Sequence, residues 1–328
     1  MKNFWFLVLI AMSTTTWAQQ KFDSTLTLMG SKFDITVIAN SEEEGSQYID
    51  LAIAEIERIE RLISSWDPNS QTSNINRNAG KAPVKVDKEL FDLIERSIKI
   101  SNLTAGAFDI SYASMDRIWK FDGSMMGKPD AEVIKKSVEK VGYENIILNR
   151  EKSTVFLKKQ GMKIGFGAIG KGYAADKAKL LLIEKGVKGG IINASGDLNT
   201  WGKQPNGEPW MVGITNPLNK NKVFSWMPVD NQAVVTSGNY EKYVLLDGQR
   251  YSHIIDPRTG MPSKGIVSAT VFAKQAELAD ALATSLFVMG AEVALDFTNQ
   301  LNGVECILID DQNKIYTSDN IDLNKTSE

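Results

Sequence analysis

Gly165-Phe166-Gly167-Ala168-Ile169-Gly170-Lys171-Gly172 follows a strand-like run, Val155–Ile164, and opens a helix-like one, Lys171–Glu184. Glycines at such a turn let the backbone approach a ligand, and the N–H groups at a helix start attract phosphate. The spacing reproduces GxGxxG, the fingerprint of a dinucleotide fold built on a parallel sheet. Its context argues against that fold. A parallel dinucleotide unit places an acidic residue about 20 positions on, at the end of the next strand. Here that distance falls near Glu184, inside the helix, and no regular strand–helix–strand series surrounds the turn. Taken alone, the segment fits a phosphate-binding turn and a ligand-free tight turn equally well.

The surrounding pattern points to an α+β class with a mixed, largely antiparallel sheet packed with helices. Leu26–Asn40 alternates like paired strands, with Met29-Gly30-Ser31 as the bend. Ser41–Ser64 reads as an amphipathic helix. Ser41 is its N-cap, Glu42–Glu44 complement the dipole, and Ile53, Ile56, Ile59, Leu62 and Ile63 form the apolar stripe. Ser65–Ala82 is polar and loop-like, and helices are expected over Asp87–Asn102 and Asp130–Val141. Gly186 ends the helix that starts at Lys171. Strands are expected at Gly190–Ala194, Trp210–Thr215, Ala233–Thr236, Arg250–Ile255, Val267–Ala273 and Val304–Ile309, and helices at Glu277–Met289 and Glu292–Leu301.

The N-terminus carries a single Lys2, an apolar run Phe4–Met12 and a small-residue end at Thr16-Trp17-Ala18. This is a secretory leader, residues 1–18, with cleavage after Ala18 and a single domain (or two interleaved subdomains) over 19–328. The run is short for a membrane span. The expected location is the periplasm, or the face of the inner membrane if the leader is retained; no Cys near the cleavage point could take a lipid. A net charge of −3, with charges interspersed, argues against nucleic acid as partner. The one cysteine, Cys306, lies in the strand-like Val304–Ile309 and reads as a buried thiol.

Two further segments carry chemistry. His253, the only histidine, stands where a strand runs into a turn shaped by Pro257 and Gly260. A lone His is commonly structural, yet His is the only side-chain type with an unperturbed pKa near neutrality, and this one sits at a strand end, where active groups are placed. Asp256 either orients that segment or starts the turn. In Glu277–Met289, Leu278, Leu282 and Leu286 form one stripe, while Asp280 and Thr284 project together from another face. No charge occurs from Ala281 to Met289, so Asp280 faces burial. A buried carboxylate needs a partner, and a hard cation such as Mg²⁺, held by carboxylate, hydroxyl and carbonyl oxygens, would supply one. Complementing the helix dipole is the alternative role.

Taken in order, these segments resemble the ApbE-type FAD:protein FMN transferases, from about Leu28 to Leu308. The resemblance runs through Met29-Gly30-Ser31, Ala107-Phe108-Asp109-Ile110-Ser111, Trp119-Lys120-Phe121 and Gly167 to Asp176. It continues through Ile192-Asn193-Ala194-Ser195-Gly196-Asp197, Val235 to Glu241, His253 to Gly260 and Ala279 to Thr284. It implies the ApbE-like, T-fold-like architecture. It also implies an exported, Mg²⁺-dependent enzyme that splits the FAD pyrophosphate, releases AMP and leaves FMN esterified to a Ser or Thr of an acceptor protein, such as a respiratory or electron-transfer flavoprotein subunit.

By the same resemblance, Mg²⁺ would be held by the Asp280 and Thr284 side chains and the Ala168 carbonyl, with the Ala283 carbonyl nearby. FAD would lie against Met29, Trp66, Ala107, Phe108, Asp109, Lys171 and Ile254. Trp66 stands where the family often has Tyr. Gly165 stands where it usually has an acid contacting the flavin nucleotide, and that loss creates the GxGxxG spacing. The Ser195-Gly196 pair also departs from the usual two glycines. An alcohol nucleophile needs a base, for which His253 is the candidate, with Asp280 at the reacting phosphates. Two other activities fit the same scaffold: an FAD pyrophosphatase giving FMN and AMP, and a non-catalytic periplasmic flavin-binding protein.

Overall fold

A computed structural model describes residues 19–215, 223–239 and 242–322. The leader and the Tyr240-Glu241 part of the resemblance lie outside the described residues. β1 (Gln20–Leu28) and β2 (Ser31–Ala39) form a hairpin closed by Met29 and Gly30. Both turn residues have positive φ, 50° and 68°, the handedness that matches strand twist. In α1 (Glu42–Ile63), the Ser41 hydroxyl accepts the Glu44 N–H, while the Glu44 carboxylate reaches back to the Asn40 N–H. The buried stripe of α1 is Ile49, Ala52, Ile56, Ile59 and Ile63; Ile53 and Leu62 lie at its edge.

The stretch after α1, expected as loop, contains α2 (Gln71–Arg77), started by a Ser70 hydroxyl that accepts the Ser73 N–H. Its polar sequence hid it, because the cap rather than an apolar stripe defines it. Then come β3 (Val84–Lys85), α3 (Lys88–Leu103), α4 (Ala131–Ser137), β4 (Ile146–Asn149) and β5 (Thr154–Leu157). β5 ends seven residues before the expected limit of Ile164, at a turn where Gly161 has φ 75°. β3, β5 and β4 make a small sheet of their own.

α5 (Gly170–Glu184) follows, and Gly186, with φ 91°, stops it. Next are β6 (Gly190–Ala194), β7 (Asp197–Trp201), β8 (Trp210–Thr215), β9 (Val223–Val229), β10 (Ala233–Gly238), β11 (Tyr243–Leu246), β12 (Gln249–Ser252) and β13 (Ile266–Ala273). The chain closes with α6 (Ala276–Met289), α7 (Ala291–Asn299), β14 (Glu305–Asp310) and β15 (Ile315–Thr317). β7 was not anticipated: its Asp, Asn and Thr disguise a strand that is nonetheless buried.

One eight-stranded sheet, in the order β1-β2-β6-β7-β10-β13-β14-β15, organises the molecule, and every pairing in it is antiparallel. This architecture is α+β rather than a doubly wound dinucleotide fold. Alternation sorts each strand between two faces. Phe33, Ile35 and Val37, Ile192 and Ala194, Val235, Ala269 and Val271, and Cys306 and Leu308 join the main core with the helices. Ile38, Val234, Phe272 and Ile307 face the other way, where Trp210, Val212 and Ile214 of β8 and Val229 of β9 cover them. The central β13 is therefore buried along its whole length. Cys306 is fully buried, and burial pushes its thiol pKa up, as suits a packing residue. A third cluster joins the β11–β12 hairpin to Trp119, Ile134 and Ile255.

α5 and α6 touch at Gly172. A Cβ there would stand 2.2 Å from the Ala276 carbonyl oxygen and 2.9 Å from the Asp280 Cβ, so only glycine allows this approach. Gly172→Ala must therefore push the helices apart, at a cost of roughly 1–3 kcal/mol. Urea unfolding should show a lower midpoint with an unchanged m-value; a wild-type midpoint would show that the contact is not tight.

Candidate active site

β7 and β10 pair only from Asp197↔Val235 to Asn199↔Ala233, although β10 runs on to Gly238 beside β13. Where they separate, the sheet opens into a cleft of about 470 Å³. Lys171 from α5, Asp197 from β7, and Asp280 and Thr284 from α6 line it, as do His253 and Ile254 beyond β12. The glycine turn reaches it through Gly167. The turn thus delivers the start of α5 to a cleft in an antiparallel sheet.

Asp280 is 4 % exposed, and its Oδ2 accepts the Gly172 N–H at 3.1 Å. One of the N–H groups at the start of α5 is therefore committed to a carboxylate, not left for a phosphate. Burial, then the negative charge of Asp197, raises the Asp280 pKa to about 7; Lys171 and the Gly172 N–H oppose that rise. Asp197, 2 % exposed, forms an ion pair with Lys171, yet burial still raises its pKa. Two carboxylates and one ammonium thus share a nearly dry floor, which suits an added cation. One turn along α6 the Thr284 hydroxyl lies 3.4 Å from that of Ser237.

β12 ends at Ser252, short of the expected Ile255, because the Ser252 hydroxyl accepts the Ile254 N–H and bends the chain. His253 follows the strand directly. Its Nδ1 lies 3.0 Å from the Lys242 carbonyl oxygen, which also accepts its backbone N–H. A carbonyl can only accept, so Nδ1 carries the hydrogen and a neutral ring has its lone pair on Nε2. The Phe121 ring stands edge-on to the imidazole at 6.4 Å. Asp256 binds the Arg258 N–H and guanidinium, so it shapes the turn.

The remaining predicted residues lie outside the cleft lining. Met29 donates its N–H to Glu60, and its Cε is 3.8 Å from where a Cβ on Gly170 would stand, which places it against the start of α5. Trp66 is 77 % exposed, with the Arg117 guanidinium 4.9 Å from its ring centre. A Cβ on Gly165 would come within 3.1 Å of the Ala113 methyl, so a larger residue there is tight. Ala107 and Phe108 are buried, and the Asp109 carboxylate ties the N–H groups of Ser111 and Tyr143. Burial raises the Asp109 pKa. Ala168 is partly buried and Ala283 fully buried, so each could offer only backbone oxygen to a cation. Among the described residues no cluster of three or more His, Cys, Asp or Glu side chains could hold a metal. A cation here would depend on hydroxyl and carbonyl oxygen beside Asp280.

Sequence pattern by itself assigns Asp197 no role. The local signal for it is the two-residue turn Ser195-Gly196, both at positive φ, which sets it opposite Ala194 at the head of β7.

The family model for the ApbE family matches residues 29–308. The chain belongs to the ApbE family. It is similar to the FAD:protein FMN transferase of Klebsiella pneumoniae (strain 342), with 31% identity over 272 residues, 81% of this chain and 78% of the relative. To the FAD:protein FMN transferase of Treponema pallidum (strain Nichols) it is 31% identical over 278 residues, 80% and 77% of the two chains. The crystal structure of the ApbE protein of Thermotoga maritima superposes with a TM-score of 0.83 at 31% identity, covering 92% of this chain and 97% of that one. Within the ApbE-family fold, the cleft thus occupies the break between β7 and β10.

The Asp280 pKa exceeds that of an unfolded chain, so its ionisation destabilises the fold. The penalty grows as pH rises from about 4 and is complete above about 7. Asp280→Asn keeps an acceptor for the Gly172 N–H and removes the charge. Without added metal, the melting temperature of Asp280→Asn should exceed wild type by about 3 °C at pH 8 and match it near pH 4. Equal values at pH 8 would show that the buried charge is already compensated.

Proposed function

We propose that the protein is an FAD:protein FMN transferase that moves FMN from FAD to a Ser or Thr hydroxyl of an acceptor protein, releasing AMP. The observation that carries this reading is the convergence of Lys171, Asp280, Thr284 and His253 on one cleft of an ApbE-family chain. The donor set would suit Mg²⁺: a buried carboxylate whose pKa is raised by burial and then by a second carboxylate, with a hydroxyl one turn away, to which the family resemblance adds the backbone oxygens of Ala168 and Ala283. When bound, Mg²⁺ would offset charge on the pyrophosphate oxygens.

In the reaction proposed, His253 Nε2 takes the proton of the acceptor hydroxyl. The hydroxyl oxygen then bonds to the FMN-side phosphorus. The bond from that phosphorus to the bridging oxygen breaks, and AMP leaves with the electron pair. Lys171, aimed by Asp197, pairs with a phosphate oxygen. The Nδ1–H bond to the Lys242 carbonyl holds the ring in the tautomer a base requires. FAD would rest against Ile254 and along Met29, Trp66, Gly165 and the Ala107-Phe108-Asp109 segment. The segment Phe4–Ala18 supports an exported, periplasmic enzyme, in keeping with an acceptor among respiratory or electron-transfer flavoproteins.

Incubation with FAD, Mg²⁺ and a periplasmic flavoprotein domain should give in-gel flavin fluorescence on that domain and a mass gain equal to FMN on a Ser or Thr. AMP and free FMN without labelling would replace transfer by hydrolysis. Tight FAD binding with no consumption would make the protein a binder. His253→Ala should cut transfer by about 10²-fold or more while FAD affinity stays within about threefold; undiminished transfer would remove His253 from the chemistry. Asp280→Ala should abolish activity and its Mg²⁺ dependence together, and full activity in that variant would refute the cation assignment.

A further inference from the structure

Behind the charged floor of the cleft lies a second polar layer with no role in the reaction as written. Asp176 sits on α5, little more than a turn after Lys171. Asn199 sits on β7 two residues after Asp197, hence on the same face of the strand. Ala276 and Glu277 form the first turn of α6, one turn before Asp280. Each of the three elements that carry a floor charge therefore contributes to the second layer as well.

Asp176 joins them. Its Oδ1 accepts the Asn199 side-chain N–H at 2.6 Å and the Ala276 N–H at 3.0 Å, and its Oδ2 accepts the Glu277 N–H at 2.8 Å. The other end of Asn199 accepts from Lys179 Nζ at 2.9 Å, and Lys179 also reaches the Thr200 carbonyl at 2.8 Å. Asn199 and Thr200 are fully buried. The N-cap of α6 is Gln275, which makes no side-chain cap, so a residue of another helix satisfies N–H groups of its first turn. A buried network satisfied at each of these atoms fixes one arrangement of its elements.

We propose that Asp176 is a positioning residue for the transfer reaction: by capping α6 from α5 while gripping Asn199 of β7, it sets where Asp280 and Thr284 stand relative to Lys171 and Asp197. Glycine at 172 lets α5 and α6 come together, and Asp176 decides their register once they have. The proposal rests on the transferase reading with a cation at Asp280.

The test uses the whole chain and Mn²⁺ as the probe, with free Mn²⁺ followed by electron paramagnetic resonance. Asp176→Asn is isosteric but has one acceptor where two are needed. It should weaken Mn²⁺ binding at least tenfold and lower kcat by a similar factor, while FAD affinity without metal stays within threefold. A lower melting temperature with wild-type Mn²⁺ affinity in Asp176→Asn would make the network a stability element and overturn the proposal. Absence of Mn²⁺ binding to the wild type would overturn the cation reading and this role with it. Unchanged binding in Asp176→Asn alone would overturn only the role of Asp176.

Discussion

The contact between the Gly172 N–H and the Asp280 carboxylate is the constraint on which the rest of the site depends. It requires α5 and α6 to lie closer than any side chain at 172 would permit. It also uses the positive end of one helix to hold the charged residue of another. Because α5 starts where the glycine turn leaves the small sheet, the same contact brings Lys171 to Asp197 at the head of β7. The main sheet is covered on both faces around this point, so the floor residues stand on a backing with little freedom to relax.

Electrostatically the floor is under-compensated. Lys171 pairs with Asp197 and only partly offsets Asp280, whose pKa burial and the neighbouring carboxylate keep raised. Folding by itself gains nothing from such an arrangement, since burying an ionised carboxylate costs stability unless something balances it. A site proposed to bind a divalent cation has the reverse requirement: it is short of positive charge until the cation arrives. The fold tolerates this because the apolar contacts of α6, from Leu282 to Phe287, are extensive and fully buried.

Local pattern made much of the fold legible. Alternation located β2, short strand-like runs marked β6, β10 and β13, and capping residues located the start of α1. The GxGxxG spacing alone would have suggested the wrong sheet; the missing acid after the next strand prevented that. What escaped were elements defined by polar contacts rather than apolar period. α2 depends on the Ser70 cap, and β7 presents Asp197, Asn199 and Thr200 to partners far away in sequence. For the same reason Asp280, Thr284, Lys171 and His253 could be picked out singly, but their common cleft could not. It arises from the end of pairing between β7 and β10, a tertiary event without a local signature. Ala107, Phe108 and Asp109 show the converse: residues recognisable in sequence whose side chains serve packing and a loop tie.

The small cluster around Trp119 gives the site a further property. Trp119 stacks on Tyr251 at 5.5 Å and donates its indole N–H to the Gly260 carbonyl, so Tyr251 and Ile255, two residues to either side of His253, sit in a small core of their own, while Ile254 packs against the main one. Asp280 and Lys171 belong to elements of the main core. His253 is thus footed on both cores, whereas Asp280 and Lys171 rest on the main core alone. A substitution in the aromatic footing therefore shifts one side of the His253 segment while the α5–α6 contact under Asp280 and Lys171 stays in place.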